Sequence, residues 1–373
     1  LRLTRELIHD SNTDLVFASN SRADYAALQS RPERLHPSTT LTHQQTALAD
    51  DLGTLARDNQ LVLFLGAGIS VPAGLPSWRE LLRPLADKAP DIDPDELLPA
   101  HPDYPRAASI LRDALGETFD TDIDTALSRT EHALGHSILA SLRCDEVITT
   151  NFDDLYEQAA RTTFQPRQLS VLPWARATPG QPWLLKMHGG IKRHTILTRE
   201  DFDTYNTHWR PLASVVQTLL LTRHVLFVGY SLTDENFVRL GREVTTLLTR
   251  TVPENQRLLG TVLTLKPDPE LTEQWTGSLR AVAALDDPDD TATPSDRPDV
   301  ESGRRLEIFL DRIAATAAAT EKSYALDRRY KELLTDPENA KIADTLRTLA
   351  ADPALTHPVW AEILKTLRSH GAT

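Results

Sequence analysis

Four segments place glycines or polar side chains at the point where a buried run of residues ends, which is where an α/β sheet holds its ligands. In the first, Leu61-Val62-Leu63-Phe64-Leu65 passes directly into Gly66-Ala67-Gly68-Ile69-Ser70. Glycines there let the backbone approach a pyrophosphate, and a following helix amino terminus turns N–H groups toward its charge. A tight turn would select the same glycines for their tolerance of positive φ. The second segment, Thr149-Thr150-Asn151-Phe152-Asp153-Asp154, supplies an amide and carboxyl groups. Those residues would equally serve an Asx turn or a helix cap. Lys186-Met187-His188-Gly189-Gly190 offers an imidazole, either a general base or a partner for a buried carbonyl. The fourth segment, Phe227 to Phe237, repeats the pattern of strand, glycine turn and helix start, with Thr233 or Asp234 able to cap the helix.

The elements that must position these groups can be read from hydrophobic spacing. A helical pattern through Leu48, Leu52 and Leu55 feeds the buried run at Leu61. Further short apolar runs lie at Glu146–Thr150, Trp183–Met187, Val225–Val228 and Leu258–Leu265. Strands of this kind alternating with helices predict an α/β fold on a doubly wound parallel sheet. Trp78 to Leu142 is helical in pattern, broken by a Pro- and Asp-rich stretch from Pro90 to Pro105, so a helical insertion is expected at about 79–143. Between Leu285 and Glu301 acid and proline accumulate, the composition of a mobile surface loop. Leu306, Phe309, Leu310 and Ile313 resume helical spacing, and two more helical patterns occupy roughly 337–350 and 357–369. The expected organisation is an extension over 1–40, a main domain over 41–315 and a helical C-terminal module over 316–373.

Composition narrows the function. The 373 residues carry 40 basic and 53 acidic side chains, a formal net charge of −13, which disfavours direct nucleic-acid binding. One cysteine, Cys144, allows neither an internal disulfide nor a thiolate zinc site. The most apolar stretch, Leu219 to Tyr230, is interrupted by Arg223 and His224 and is shorter than the roughly 20 residues of a membrane span. No basic-then-apolar leader opens the chain, and the lack of an initiator Met points to a trimmed sequence; the expected location is cytoplasmic.

Taken together, the motifs resemble those of the sirtuin family. Gly66-Ala67-Gly68-Ile69-Ser70 followed by Ala73-Gly74-Leu75-Pro76-Ser77-Trp78-Arg79 is similar to the family's GAGxS and GIPxFR loop. Thr149 to Asp153 is similar to its TQNID motif, and His188-Gly189 to its catalytic His-Gly pair. The pattern GYSxxDxNF at 229–237 is closest to a divergent prokaryotic sirtuin-like branch. This resemblance implies a Rossmann-like, NAD-binding catalytic domain. It assigns Gly66, Ala67, Gly68, Ser70, Trp78, Arg79, Thr150, Gly229, Ser231 and Asp234 to the dinucleotide. Asn151 would stand near the nicotinamide ribose and its attacking group, Asp153 would hold the nicotinamide amide, and His188 would be the base.

Two departures from the deacetylases matter. The four zinc-binding cysteines are absent, so no zinc is expected, and 191–205 shows no counterpart of the segment that clamps an acyl-lysine peptide. The resemblance then implies NAD+ hydrolysis to nicotinamide and ADP-ribose by an antiviral defence effector. A homo-oligomer is expected, triggered by a partner protein such as a HerA-type ring ATPase, with neither nucleic acid nor membrane bound directly. A protein deacylase or ADP-ribosyltransferase, and a silent nucleotide-binding scaffold, are the alternatives.

Overall fold

A computed structural model of the chain describes residues 15–19, 21–30, 41–100, 102–163, 168–193, 195–285, 298–319 and 323–372. Seven of its segments are strands: β1 (Leu61–Leu65), β2 (Glu146–Thr149), β3 (Ser170–Leu172), β4 (Trp183–Lys186), β5 (His224–Val228), β6 (Gly260–Thr264) and β7 (Leu279–Ala283). They form one parallel sheet in the order β3-β4-β2-β1-β5-β6-β7. From β1 the chain builds one side with β2, β3 and β4, β4 inserting between β2 and the edge strand β3, and then crosses to add β5, β6 and β7 in turn on the other, so the fold is the expected Rossmann-like doubly wound α/β architecture. Its switch point lies between β1 and β5, where crossovers leave toward opposite edges.

Five of the seven strands coincide with the apolar runs anticipated above. β1 is buried at every position, as the inner strand of a sheet covered on both faces must be. Val62 and Phe64, with Ile148, Leu185, Val225, Phe227 and Val262, share a core with the helices Arg210–Thr222 and Glu235–Thr251. The insertion folds as the helices Trp78–Lys88, Pro94–Leu97, Tyr104–Leu115, Glu117–Leu127 and Leu134–Ser141. Several of these share a second core built on Leu81, Leu82, Leu111, Phe119 and Ile123.

The acidic, proline-rich stretch divides. Residues 286–297 lie outside the described ones, whereas Pro298 to Glu301, expected to be loop, open the helix Pro298–Ala317. Proline is preorganised for a first helical position, and an acid in the first turn complements the helix dipole.

By its contacts the chain forms two compact units, 55–310 and a smaller one of 1–54 with 311–373. In the smaller unit Asp50 accepts two hydrogen bonds from Arg312 at 2.7 Å and one from Thr316 at 2.6 Å. The helix Arg22–Gln29, capped by Ser21, buries Ala26 and Ala27 with Tyr324. Helices Pro337–Ala350 and Ala361–Ser369, near the two patterns read from the sequence, contribute Ala343, Leu364 and Leu367 to its buried residues. No described helix is long and apolar enough to cross a membrane.

An aromatic cluster ties the helix after β5 to the sheet. The fully buried Phe237 ring lies 5.0 Å from Phe64, 5.3 Å from Phe227 and 5.5 Å from Tyr230. Phe237→Ala removes a packed ring and leaves a cavity, so urea unfolding will show a loss of about 3–5 kcal/mol.

Candidate active site

The glycine loop is shaped by contact with a second loop. Gly66 N donates to Val228 O at 3.0 Å and Gly68 N to Gly229 O at 2.8 Å. A Cβ on Gly66 would stand 2.4 Å from Gly229 O, and one on Gly229, whose φ is +65°, would stand 2.4 Å from Ile69 N. The backbones after β1 and β5 therefore touch at the switch point, and nothing larger than glycine fits. A 3-10 turn, Ala67–Ile69, follows β1 instead of a long helix, and Ile69 N and Ser70 N donate to Gly66 O and Ala67 O. Hence the N–H groups of Gly66, Gly68, Ile69 and Ser70 are spent within the protein in this conformation. Ala67 and Gly68 stay exposed on the outer surface of the loop.

At the end of β2, Thr149 bridges two strands: its hydroxyl donates to Leu65 O and accepts from Asn151 N, both at 3.0 Å. That contact turns Asn151 inward over β1. Its Nδ2 donates to Gly66 O at 3.1 Å and to Ser70 Oγ at 3.2 Å. Because a carbonyl can only accept, Gly66 O fixes which end of the amide faces it. The opposite atom, Asn151 Oδ1, is buried without a hydrogen-bond partner.

Ser70 joins this amide to a carboxyl and an imidazole. Its hydroxyl donates to Asp153 Oδ2 at 3.0 Å, and His136 Nε2 lies 3.3 Å away. With its proton given to Asp153, Ser70 can only accept from His136, which places the imidazole proton on Nε2. His136 Nδ1 is left buried and unpartnered. Burial pushes the His136 pKa down to about 4, despite the opposing pull of Asp153. Asp153 also accepts from Leu155 N at 3.0 Å, so the Asx turn and the site use the same side chain.

His188 belongs to a different cluster. Its Nε2 lies 2.9 Å from Asp234 Oδ2, a contact that has the distance of a hydrogen bond but not its direction, so it is chiefly electrostatic. Phe202 and Tyr205 pack edge-on to the ring, at 5.4 and 6.2 Å between centroids. Asp234 caps the following helix through Asn236 N at 2.9 Å and accepts from Tyr230 OH at 3.3 Å. Burial would raise its pKa, but His188 and these hydrogen bonds outweigh burial and hold it below the usual range. In the sheet β4 and β5 are three strand spacings apart, about 14 Å, so the His188–Asp234 contact spans the carboxyl ends of β2 and β1.

The structure thus brings Ser70, Asn151 and Asp153 into direct contact and sets His188 against Asp234. Thr150 N, beside them, donates to Leu65 O at 3.3 Å. Ser231 is exposed, and its hydroxyl meets that of Thr233 at 2.7 Å. Trp78 stacks on Tyr104 at 5.6 Å and meets Phe152 edge-on at 6.4 Å. The Arg79 guanidinium donates to Leu98 O at 2.7 Å and to Pro99 O, and so is turned to the insertion's own backbone. Two participants had no assigned role in the sequence reading. His136 sits in an apolar helical pattern, and Lys186 is a strand-end lysine that is almost entirely buried.

Comparison with known proteins shows what the chain is similar to. Residues 145–277 match the SIR2-like domain. The matched stretch contains the Asn151, His188 and Asp234 segments, with the glycine loop upstream. Among curated proteins the chain is 31% identical over 204 residues to NAD(+) hydrolase ThsA of Acinetobacter baumannii (strain 532279), covering 52% of this chain and 41% of that protein. It is 32% identical over 208 residues to NAD(+) hydrolase ThsA of Enterococcus faecium, with the same coverage. To Defense-associated sirtuin 2 of Bacillus subtilis it is 26% identical over 193 residues, 48% of this chain and 19% of that one. The chain therefore spans well under half the length of these relatives.

The His136 environment sets a pH dependence. An imidazole at about 4 in the folded protein, against about 6.5 when unfolded, takes up its proton first in the unfolded chain. Its stabilisation is complete above pH 6.5 and lost as pH falls to 4, about 3 kcal/mol in all. Urea unfolding across that range will show stability falling more steeply in wild type than in His136→Gln; parallel curves would contradict the assignment.

Proposed function

We propose that this SIR2-like domain hydrolyses NAD+ at the nicotinamide–ribose bond. The observation that carries the reading is Asn151 Oδ1, a buried amide oxygen held in fixed orientation with no protein partner. Leaving such an atom unpaired costs about 1–3 kcal/mol, a cost offset when a ribose hydroxyl or a water donates to it. Similarity to two proteins named NAD(+) hydrolase points to the same substrate.

In the proposed reaction the C1′–N bond breaks with its electron pair leaving on nicotinamide, which departs neutral. Water supplies the new C1′–O bond and releases a proton, giving nicotinamide, ADP-ribose and H+. Asn151 Oδ1 orients the water or the ribose hydroxyl beside the developing positive charge. Asp153 retains lone pairs for the nicotinamide amide. His188 takes the proton, and the Asp234 carboxyl stabilises the imidazolium so formed. Gly66, Ala67, Gly68, Ser70, Thr150, Gly229 and Ser231 line the dinucleotide, with Trp78 and Arg79 at its margin.

We assign the activity to antiviral defence, as depletion of cytoplasmic NAD by a homo-oligomer whose trigger is a separate protein, a HerA-type ring ATPase being the candidate. Similarity to a defence-associated sirtuin supports the setting. Chromatography of NAD and its products tests the chemistry. Assembled with the trigger protein, wild type will release nicotinamide and ADP-ribose, while Asn151→Ala and His188→Ala, folded by circular dichroism, will each turn over about 100-fold more slowly or less. Equal turnover in all three refutes the assignment.

A further inference from the structure

Between the two polar clusters runs a mechanical link that uses a buried charge. Lys186 closes β4 and is 1% exposed. Its Nζ donates to Asp153 O at 2.5 Å and to Phe152 O at 3.2 Å, and lies 3.0 Å from both Asp154 Oδ1 and Glu157 Oε1. Ile191 N donates to Phe152 O at 3.0 Å. The β4 loop therefore grips the turn after Asn151 at two points, one on each side of His188 in the sequence. Burial pushes the Glu157 carboxyl above its usual range in spite of the lysine beside it. Buried ion pairs add little net stability over apolar residues of the same volume, so stability gives no reason for a charge here.

We infer that Lys186 is a positioning residue, which holds the turn at Phe152–Asp154 so that Asn151 and Asp153 keep a fixed placement relative to His188. The imidazole cannot shift against the Asn151 turn without breaking one of the two anchors. For its kinetic consequence the inference rests on the NAD+ hydrolase reading; for its structural consequence it does not.

The test replaces the ion pair as a unit, Lys186→Met with Glu157→Gln, so that no unpaired charge stays buried. In the full chain the double variant will melt within a few degrees of wild type, with the KM for NAD within about threefold and kcat about 100-fold lower, the scale of a misplacement near 1 Å. Without NAD, the amides of Asn151 and Leu155 will exchange with deuterium about tenfold faster or more, and those of β1 at the wild-type rate. A folded variant with kcat within about threefold and unchanged exchange would assign the lysine to stability alone. A variant that cannot fold would assign it there as well; either result overturns the inference. Should the wild-type protein, assembled with its trigger protein, leave NAD intact, the hydrolase reading fails and the exchange rates alone decide the role of Lys186.

Discussion

One hydroxyl has all of its hydrogen-bonding capacity committed, and the site follows from that. Ser70 Oγ gives its proton to Asp153 and accepts from Asn151, and its remaining lone pair faces His136. Those contacts join the loop after β1, the turn after β2 and the helix Leu134–Ser141 at one oxygen. Once they are made, the tautomer of His136 and the orientation of the Asn151 amide are no longer free choices. The free end of that amide is what the proposed chemistry uses.

Stability and reactivity are separated in this fold. The sheet interior is apolar and closely packed, and it supplies the favourable free energy. Along the carboxyl ends of the strands polar atoms are left unsatisfied, among them Asn151 Oδ1 and, near His188, Tyr205 OH. The glycine contact between the loops after β1 and β5 allows this arrangement, because backbones that touch bring β1 and β5 side chains to one crevice. Glycines expected to make room for a pyrophosphate have a second reason to be glycine, the approach of another chain segment.

Much of this was legible from residue order. Continuous apolar runs marked β1, β2, β4, β5 and β6, since strands buried on both faces have no polar alternation to hide them. β3 and β7 were not legible: Ser170–Leu172 has three residues, and Leu279–Ala283 carries an exposed arginine and two alanines, with little strand preference. Ser70, Asn151 and Asp153 could be chosen because they end strands and resemble a known motif. Nothing local marks His136 or Lys186, whose roles come from atoms far away in sequence. Asp234 was expected at the dinucleotide and as a helix cap; it caps the helix and faces His188, a contact across three strand spacings that no local pattern encodes.

The central claim is that the free oxygen of Asn151 awaits the nicotinamide ribose or its attacking water. A crystal structure of the His188→Ala protein with a carbocyclic NAD analogue tests it most directly. The account predicts the analogue's nicotinamide end above β1 and β2, with Asn151 Oδ1 within hydrogen-bond distance of a hydroxyl of the carbocycle or of an ordered water at C1′. An analogue bound elsewhere, or an Asn151 Oδ1 still without a partner beneath it, would contradict the account.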